Sequence, residues 1–232
     1  TSAWKRPSPS WGYSVAVKLA IFDLDGTLVN TIEDVCDCFN QALENCGHPR
    51  VDDGVIAALV GKPLPVIVRG LLPEGISDDE VDAIAGEYRR VYGSSAKPNT
   101  KPYPGIPEML AHLQAEGVRL AVNSNKPHEA AVEVVNRMFP KLDMDVVGFG
   151  AVATTKPDPA GANLLMERAG VIPADTVYVG DTVVDVDTAD AAGVRCVLVT
   201  WGQGTPELRD DSRIWVVAED AVDLLNLFLH RD

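Results

Sequence analysis

Leu19-Ala20-Ile21-Phe22-Asp23-Leu24-Asp25-Gly26-Thr27-Leu28 is an apolar tetrad that runs without a break into two acids spaced two apart. An uninterrupted apolar run suits a parallel strand covered on both faces, and open α/β sheets collect ligands beyond the carboxyl ends of such strands. The tetrad therefore reads as a buried strand. Asp23 and Asp25 would project from its end into one crevice, with Gly26 letting the backbone turn away. Asp and Gly are also ordinary turn residues, so taken alone the peptide is equally a strand-ending turn.

Two further runs end the same way. Val118-Arg119-Leu120-Ala121-Val122 leads into Asn123-Ser124-Asn125-Lys126-Pro127, and Thr176-Val177-Tyr178-Val179 leads into Gly180-Asp181-Thr182. Between them Lys156 stands in Thr154-Thr155-Lys156-Pro157-Asp158-Pro159, where the prolines oppose helix or central strand and favour a loop. If the three strands are parallel, their polar ends share one rim. A carboxylate pair, a hydroxyl, a lysine and another carboxylate then converge, and the helical segments between them are what a βαβ chain requires.

Residues Thr31 to Cys46 carry Ile32, Val35, Phe39 and Leu43 at helical spacing, with Gly47 and Pro49 as stop signals. Val51 to Leu72 and Asp78 to Tyr92 continue the helical pattern, the second opening on Ser77-Asp78-Asp79-Glu80, which fits a capping box. No strand candidate intervenes before Pro98, Pro102 and Pro104, which mark a returning linker. The predicted fold class is α/β, a Rossmann-like parallel sheet core over residues 15–30 and 101–232 with an inserted α-helical domain over 31–100. Residues 1–14, with Trp4 and Trp11, lack periodicity and read as a flexible leader or cloning remnant. The predicted later strands are Val118–Val122, Val146–Phe149, Thr176–Val179 and Arg195–Val199, with a last strand and helix between Ile214 and Leu229.

The chain resembles the haloacid-dehalogenase-like phosphohydrolases, whose four motifs occur here in order. Asp23-Leu24-Asp25-Gly26-Thr27 matches the first, Ser124 the second, Lys156 before Pro157 the third, and Gly180-Asp181-Thr182-Val183-Val184-Asp185 the fourth. Pro102-Tyr103-Pro104-Gly105 and Asn125-Lys126-Pro127 look most like the phosphoglycolate phosphatase branch. The resemblance implies a Mg²⁺-dependent phosphatase in which Asp23 is the nucleophile and Asp25 the general acid and base. It implies that Asp181 binds Mg²⁺ with Asp23 and the backbone carbonyl of Asp25, while Asp185 holds a metal-bound water. Ser124 and the amides around it, Asn125 included, would meet the phosphoryl oxygens, and Lys156 would neutralise charge there. The helical insert would supply selectivity, with Lys62 as first candidate and Arg69 as second to meet a substrate carboxylate.

Composition narrows the partners. A formal net charge of −14 and a pI near 4.6 argue against nucleic acid or an anionic membrane, both polyanions. A phosphate site must then supply positive charge locally, from a divalent cation and Lys156. No signal peptide or membrane-length apolar run is evident, which makes the cytoplasm the expected location. Cys36, Cys38, Cys46 and Cys196 form neither a disulfide framework nor a zinc pattern and read as reduced thiols. Asp187 and Asp190 read as solvent-facing helix charges, and the histidines receive no role.

Asp25 sets the reaction class. The dehalogenases of the resembled superfamily lack an acid there, because a halide leaving group needs no proton. A hydrolase of a small phosphate monoester, 2-phosphoglycolate first, is the leading expectation. A β-phosphoglucomutase-like transferase and a pyrophosphatase are alternatives within the same chemistry. A non-catalytic binding protein of this fold would be marked by loss of Asp23, Asp25 or Lys156, and all three are present.

Overall fold

β1, Leu19–Phe22, is buried along its whole length. Ala20 and Phe22 enter one apolar layer while Leu19 and Ile21 enter another, the two-residue alternation of a strand covered on both faces. The computed structural model describes residues 17–229, so the leader over 1–14 lies outside the described residues. β4 (Arg119–Pro127) and β6 (Thr176–Gly180) flank β1 in parallel, with Phe22 opposite Val122 on one side and Val179 on the other. With β5 (Met144–Phe149), β7 (Arg195–Val199) and β8 (Ile214–Ala218) they make a six-stranded parallel sheet of order β5-β4-β1-β6-β7-β8.

Helices α5 (Ile106–Ala115), α6 (His128–Met138) and α9 (Ala221–Leu229) cover the face that holds Phe22. Helices α7 (Ala160–Ala169) and α8 (Val183–Ala192) cover the face that holds Ile21. The chain builds outward from β1 through β4 to β5, then crosses back to lay β6 on the other side. The order thus reverses at β1, and the crevice beyond its carboxyl end is the switch point where such sheets bind ligands.

β4 is longer than the predicted Val118–Val122. It runs through Ser124 to Pro127 because the Asn/Ser/Pro signal there produces a slip in pairing rather than a stop. Asn123 still faces Val147, but the next ladder contact is Pro127 with Phe149. The intervening Ser124, Asn125 and Lys126 are freed from regular pairing at the rim.

Two short strands absent from the sequence reading, β2 (Val29–Asn30) and β3 (Lys101–Pro102), pair antiparallel. Between them lie four helices joined by loops, with no strand: α1 (Ile32–Asn45), α2 (Asp53–Ala57), α3 (Leu64–Leu71) and α4 (Asp78–Ser94). The helical pattern of Val51–Leu72 resolves into α2 and α3, parted at Gly61-Lys62-Pro63, where proline at a helix start removes the donor that would continue the preceding turn. These helices bury their own apolar cluster, including Leu43, Ile56, Val68 and Ile84. Phe39 stacks on Tyr88 at 3.9 Å between ring centroids. Asp34, 3% exposed in the first turn of α1, accepts from the Asn99 and Thr100 amides and from the Thr100 hydroxyl at 2.6 Å. That carboxylate ties the entry of the insert to its exit.

Candidate active site

Asp23 is carried one residue beyond β1, where its N–H donates to the Val179 carbonyl of β6 at 2.9 Å. Its side chain is 3% exposed, and its Oδ1 lies 2.8 Å from the Lys156 Nζ. Lys156 also donates to Asp185 Oδ1 at 2.7 Å, so one buried ammonium serves two buried carboxylates. Asp181 adds a third, and an oxygen from each of Asp23, Asp181 and Asp185 falls within 4.8 Å of the others. Burial pushes the Asp23 carboxyl well above its usual range; Lys156 pulls it down, and Asp185 and Asp181 push it up again. Burial also works against the Lys156 ammonium, but Asp185 and Asp23 outweigh it and hold this lysine protonated.

Asp181 is set by a different wall. Its Oδ1 accepts from the Thr27 hydroxyl at 2.8 Å and its Oδ2 from the Gln203 amide at 2.7 Å. A Cβ on Gly26 would stand 2.4 Å from Oδ2 and one on Gly202 2.2 Å, so only bare backbone fits around the carboxylate. Gly26 further adopts φ +93°, which an L side chain resists. Burial and Asp185 push the Asp181 carboxyl up to about 7 against those hydrogen bonds. Three buried acids with one shared ammonium are short of positive charge, and the free oxygen positions are hard donors. This donor set fits a small divalent cation, which Asp23, Asp181 and Asp185 together could hold. Asp185 joins the cluster with both oxygens already engaged: Oδ1 by Lys156, Oδ2 by the Thr182 amide and hydroxyl in the capping box of α8.

Asp25 has different neighbours. The Thr31 hydroxyl donates to its Oδ1 at 2.6 Å, and Lys126 Nζ donates to both its oxygens at 2.9 Å. Asp25 and Lys126 border a small cavity, about 50 Å³, that is also lined by Asp23, Ser124 and Asn125 from the sheet rim and by Phe39, Lys62 and Ile67 from the insert. Ser124 lies at the rim as predicted, its Oγ accepting from the Lys126 amide at 3.1 Å. Among the described residues Lys62 has no ion pair, and it faces the cavity from the turn before α3. A larger cleft of about 530 Å³ opens at the amino ends of β1 and β4, away from these carboxylates, and its Arg168 pairs with Asp145.

Asn125 lines the cavity beside Ser124, and its side-chain amide is engaged by backbone groups. Its amide oxygen accepts from the Lys156 N–H at 2.9 Å, and its amide nitrogen donates to the Gly61 carbonyl at 3.0 Å and the Lys156 carbonyl at 3.3 Å. One side chain thereby holds the lysine loop and docks the insert on the rim. Arg69 is not brought to the cavity: it is exposed on α3 and pairs with Asp78 at the start of α4. Asp187, half-exposed, pairs with Arg213 at 2.7 Å rather than standing free. Asp190 is exposed as predicted, and all four cysteines are free thiols.

Lys126 and Thr31 are the site residues that sequence reasoning passed over. Lys126 shares with Ser124 the rim segment of β4 that the slip in pairing frees from the ladder. Thr31 sits where β2 gives way to α1, and no pattern marks it. Lys126 Nζ also lies 4.5 Å from the ring centre of Tyr92, placing a residue of α4 beside the rim.

Residues 20–199 match the family model described as haloacid dehalogenase-like hydrolase. The chain is 34% identical over 191 residues to the phosphoglycolate phosphatase of Pseudomonas syringae pv. tomato, covering 80% of this chain and 70% of that protein. It is 32% identical over 191 residues to phosphoglycolate phosphatase 1 of Pseudomonas aeruginosa, with the same coverage. The crystal structure of a protein put forward as a phosphoglycolate phosphatase from Lactobacillus delbrueckii subsp. bulgaricus superposes with a TM-score of 0.85 at 29% identity, covering 93% of this chain and 99% of that one.

Proposed function

Because the chain belongs to the haloacid dehalogenase-like hydrolases and is a phosphatase of that family, we propose that it is a Mg²⁺-dependent hydrolase of 2-phosphoglycolate. The observation that carries the chemistry is the contrast between two carboxylates, Asp23 on Lys156 among acids and Asp25 on Lys126 and Thr31 at the cavity. The names of the relatives support the substrate.

In this mechanism an Asp23 oxygen attacks phosphorus and the ester P–O bond breaks, leaving an acyl phosphate on Asp23. Asp25 gives its proton to the departing alkoxide and then takes one from the water that cleaves the acyl phosphate, which restores both carboxyls. Ser124 donates to a phosphoryl oxygen, and Lys156 keeps Asp23 and Asp185 from repelling the incoming dianion. Mg²⁺, held by Asp23, Asp181 and the Asp25 carbonyl, would supply charge neutralisation at the phosphoryl oxygens. Asp185 acts by fixing Lys156 and the start of α8. Residues 31–100 serve as a cap whose cavity wall sorts substrates.

A hydrolysis screen over phosphoglycolate, sugar phosphates, nucleotides and pyrophosphate tests the reading, with 2-phosphoglycolate expected to give the highest kcat/KM. Sugar isomerisation without phosphate release would select a mutase instead. EDTA is expected to stop turnover and Mg²⁺ to restore it. The raised Asp181 value adds a sign: a carboxyl with a folded pKa of about 7 stabilises the fold at low pH and loses that contribution as pH rises towards and through that value. Mg²⁺ competes with the same proton, so it should raise Tm more near about pH 8 than near about pH 5. A pH-independent increment would remove Asp181 from the metal.

Lys62→Ala is expected to lower kcat/KM for 2-phosphoglycolate about tenfold while changing p-nitrophenyl phosphate hydrolysis less than about threefold. Equal losses on both substrates would mean that Lys62 does not sort substrates.

A further inference from the structure

We propose that Lys126 is a substrate-specificity residue, the cation that lets this site accept a carboxylate placed next to the ester being cleaved. The proposal rests on the substrate class named above and extends it to a residue that class does not specify. Asp25 must come within hydrogen-bond reach of the leaving oxygen to protonate it. In a 2-phosphorylated acid the carboxylate carbon is two bonds from that oxygen, so a carboxylate oxygen lies on the order of 3 Å from it. The substrate's second negative charge is therefore forced close to the enzyme's own acid. While Asp25 carries the proton it is to donate, it no longer neutralises Lys126, so in a cavity walled by Phe39 and Ile67 the substrate carboxylate and that ammonium become each other's counter-ion.

Among the described residues, Lys126 is the ammonium that already touches Asp25. Lys126 Nζ is 2.9 Å from each Asp25 oxygen, and the two side chains are 5% and 11% exposed. Lys156 is committed to Asp23 and Asp185. Lys62 borders the cavity from the insert without a hydrogen bond or ion pair to Asp25. An ammonium has three donors, so Lys126 can keep one hydrogen bond to Asp25 and turn another to the substrate carboxylate. The Tyr92 ring, 4.5 Å from Nζ, supports the cation from the insert side throughout. Ligand entry replaces one oxygen of a buried ion pair by another, and no charge is left alone in the cavity.

The test compares 2-phosphoglycolate with its neutral amide, 2-phosphoglycolamide, which has the same ester and nearly the same shape. In the wild type the acid should be preferred. Lys126→Met is expected to lower kcat/KM for the acid about a hundredfold and for the amide less than about tenfold, collapsing the preference. Lys126→Gln, which keeps a donor for Asp25 without the charge, should collapse it in the same way, and serves if the Met variant does not fold by circular dichroism. A residue that merely holds Asp25 in place would reduce both substrates alike, so equal losses in either folded variant overturn the proposal while leaving the substrate assignment standing. A wild-type enzyme that hydrolyses other esters but not 2-phosphoglycolate overturns the assignment and this proposal with it.

Discussion

Asp23→Asn is expected to reduce phosphatase turnover by about 10⁴-fold or more while the metal-free protein keeps its wild-type Tm or gains a few degrees. The two halves of that result have one cause. Asp23 is nearly inaccessible, shares Lys156 with Asp185, and is held above the usual carboxylate range chiefly by burial. The fold therefore bears a cost for its negative charge, and the amide removes the charge while keeping size and shape. What the amide cannot do is attack phosphorus. Single-turnover phosphate release and thermal unfolding in EDTA measure the two halves separately. Retained turnover in a clean preparation would sink the nucleophile, and a large drop in Tm would mean that Asp23 also holds the fold.

Lys156→Met should produce the opposite pairing, loss of turnover together with loss of stability of about 3 kcal/mol. The ammonium lies 2.8 Å from Asp23 and 2.7 Å from Asp185, and its removal leaves both without their cation. The effect has a pH sign. Without Lys156 pulling it down, the Asp23 carboxyl rises further in the folded state. A group with a raised folded pKa stabilises at low pH and loses that contribution as pH climbs, so the variant should be weakest at the alkaline end. Urea unfolding at about pH 5 and about pH 8 checks this, and a pH-independent loss would point to packing instead. Adding Asp23→Asn to Lys156→Met should recover stability without recovering turnover, because the two residues form one buried charge network.

Sequence periodicity carried the sheet and the rim. β1 and β6 are apolar on both faces, and an acid at the end of such a strand has only the crevice to enter. Lys156 was legible because its prolines rule out helix and strand, leaving a loop at the same end of the sheet. The docking role of the Asn125 side chain is hidden from the sequence for the opposite reason. An amide is equally suited to a phosphate and to backbone groups, and only the fold shows the Lys156 and Gly61 backbone already occupying it. Charge alone points to Arg69, but its helix turns that face outward to Asp78. Lys126 went unassigned because its partner, Asp25, is 101 residues away. Pairings of that range depend on the sheet order, which a local pattern does not contain.

The two-residue ladder between β2 and β3 places Asn30 beside Lys101, so the chain leaves the sheet and rejoins it at adjacent points. In topological terms the insert is the tip of a hairpin. The entropy of closing a loop grows only with the logarithm of its length, so a tip of roughly seventy residues costs the sheet little more than one of roughly twenty. The sheet with its acids and lysines can be inherited unchanged while the tip diverges, provided Asp34 still reaches Thr100 and some carbonyl still meets Asn125. The insert's share of the substrate wall is thereby free to drift as a cassette, while the share that Lys126 supplies stays with the phosphoryl-transfer rim of the sheet.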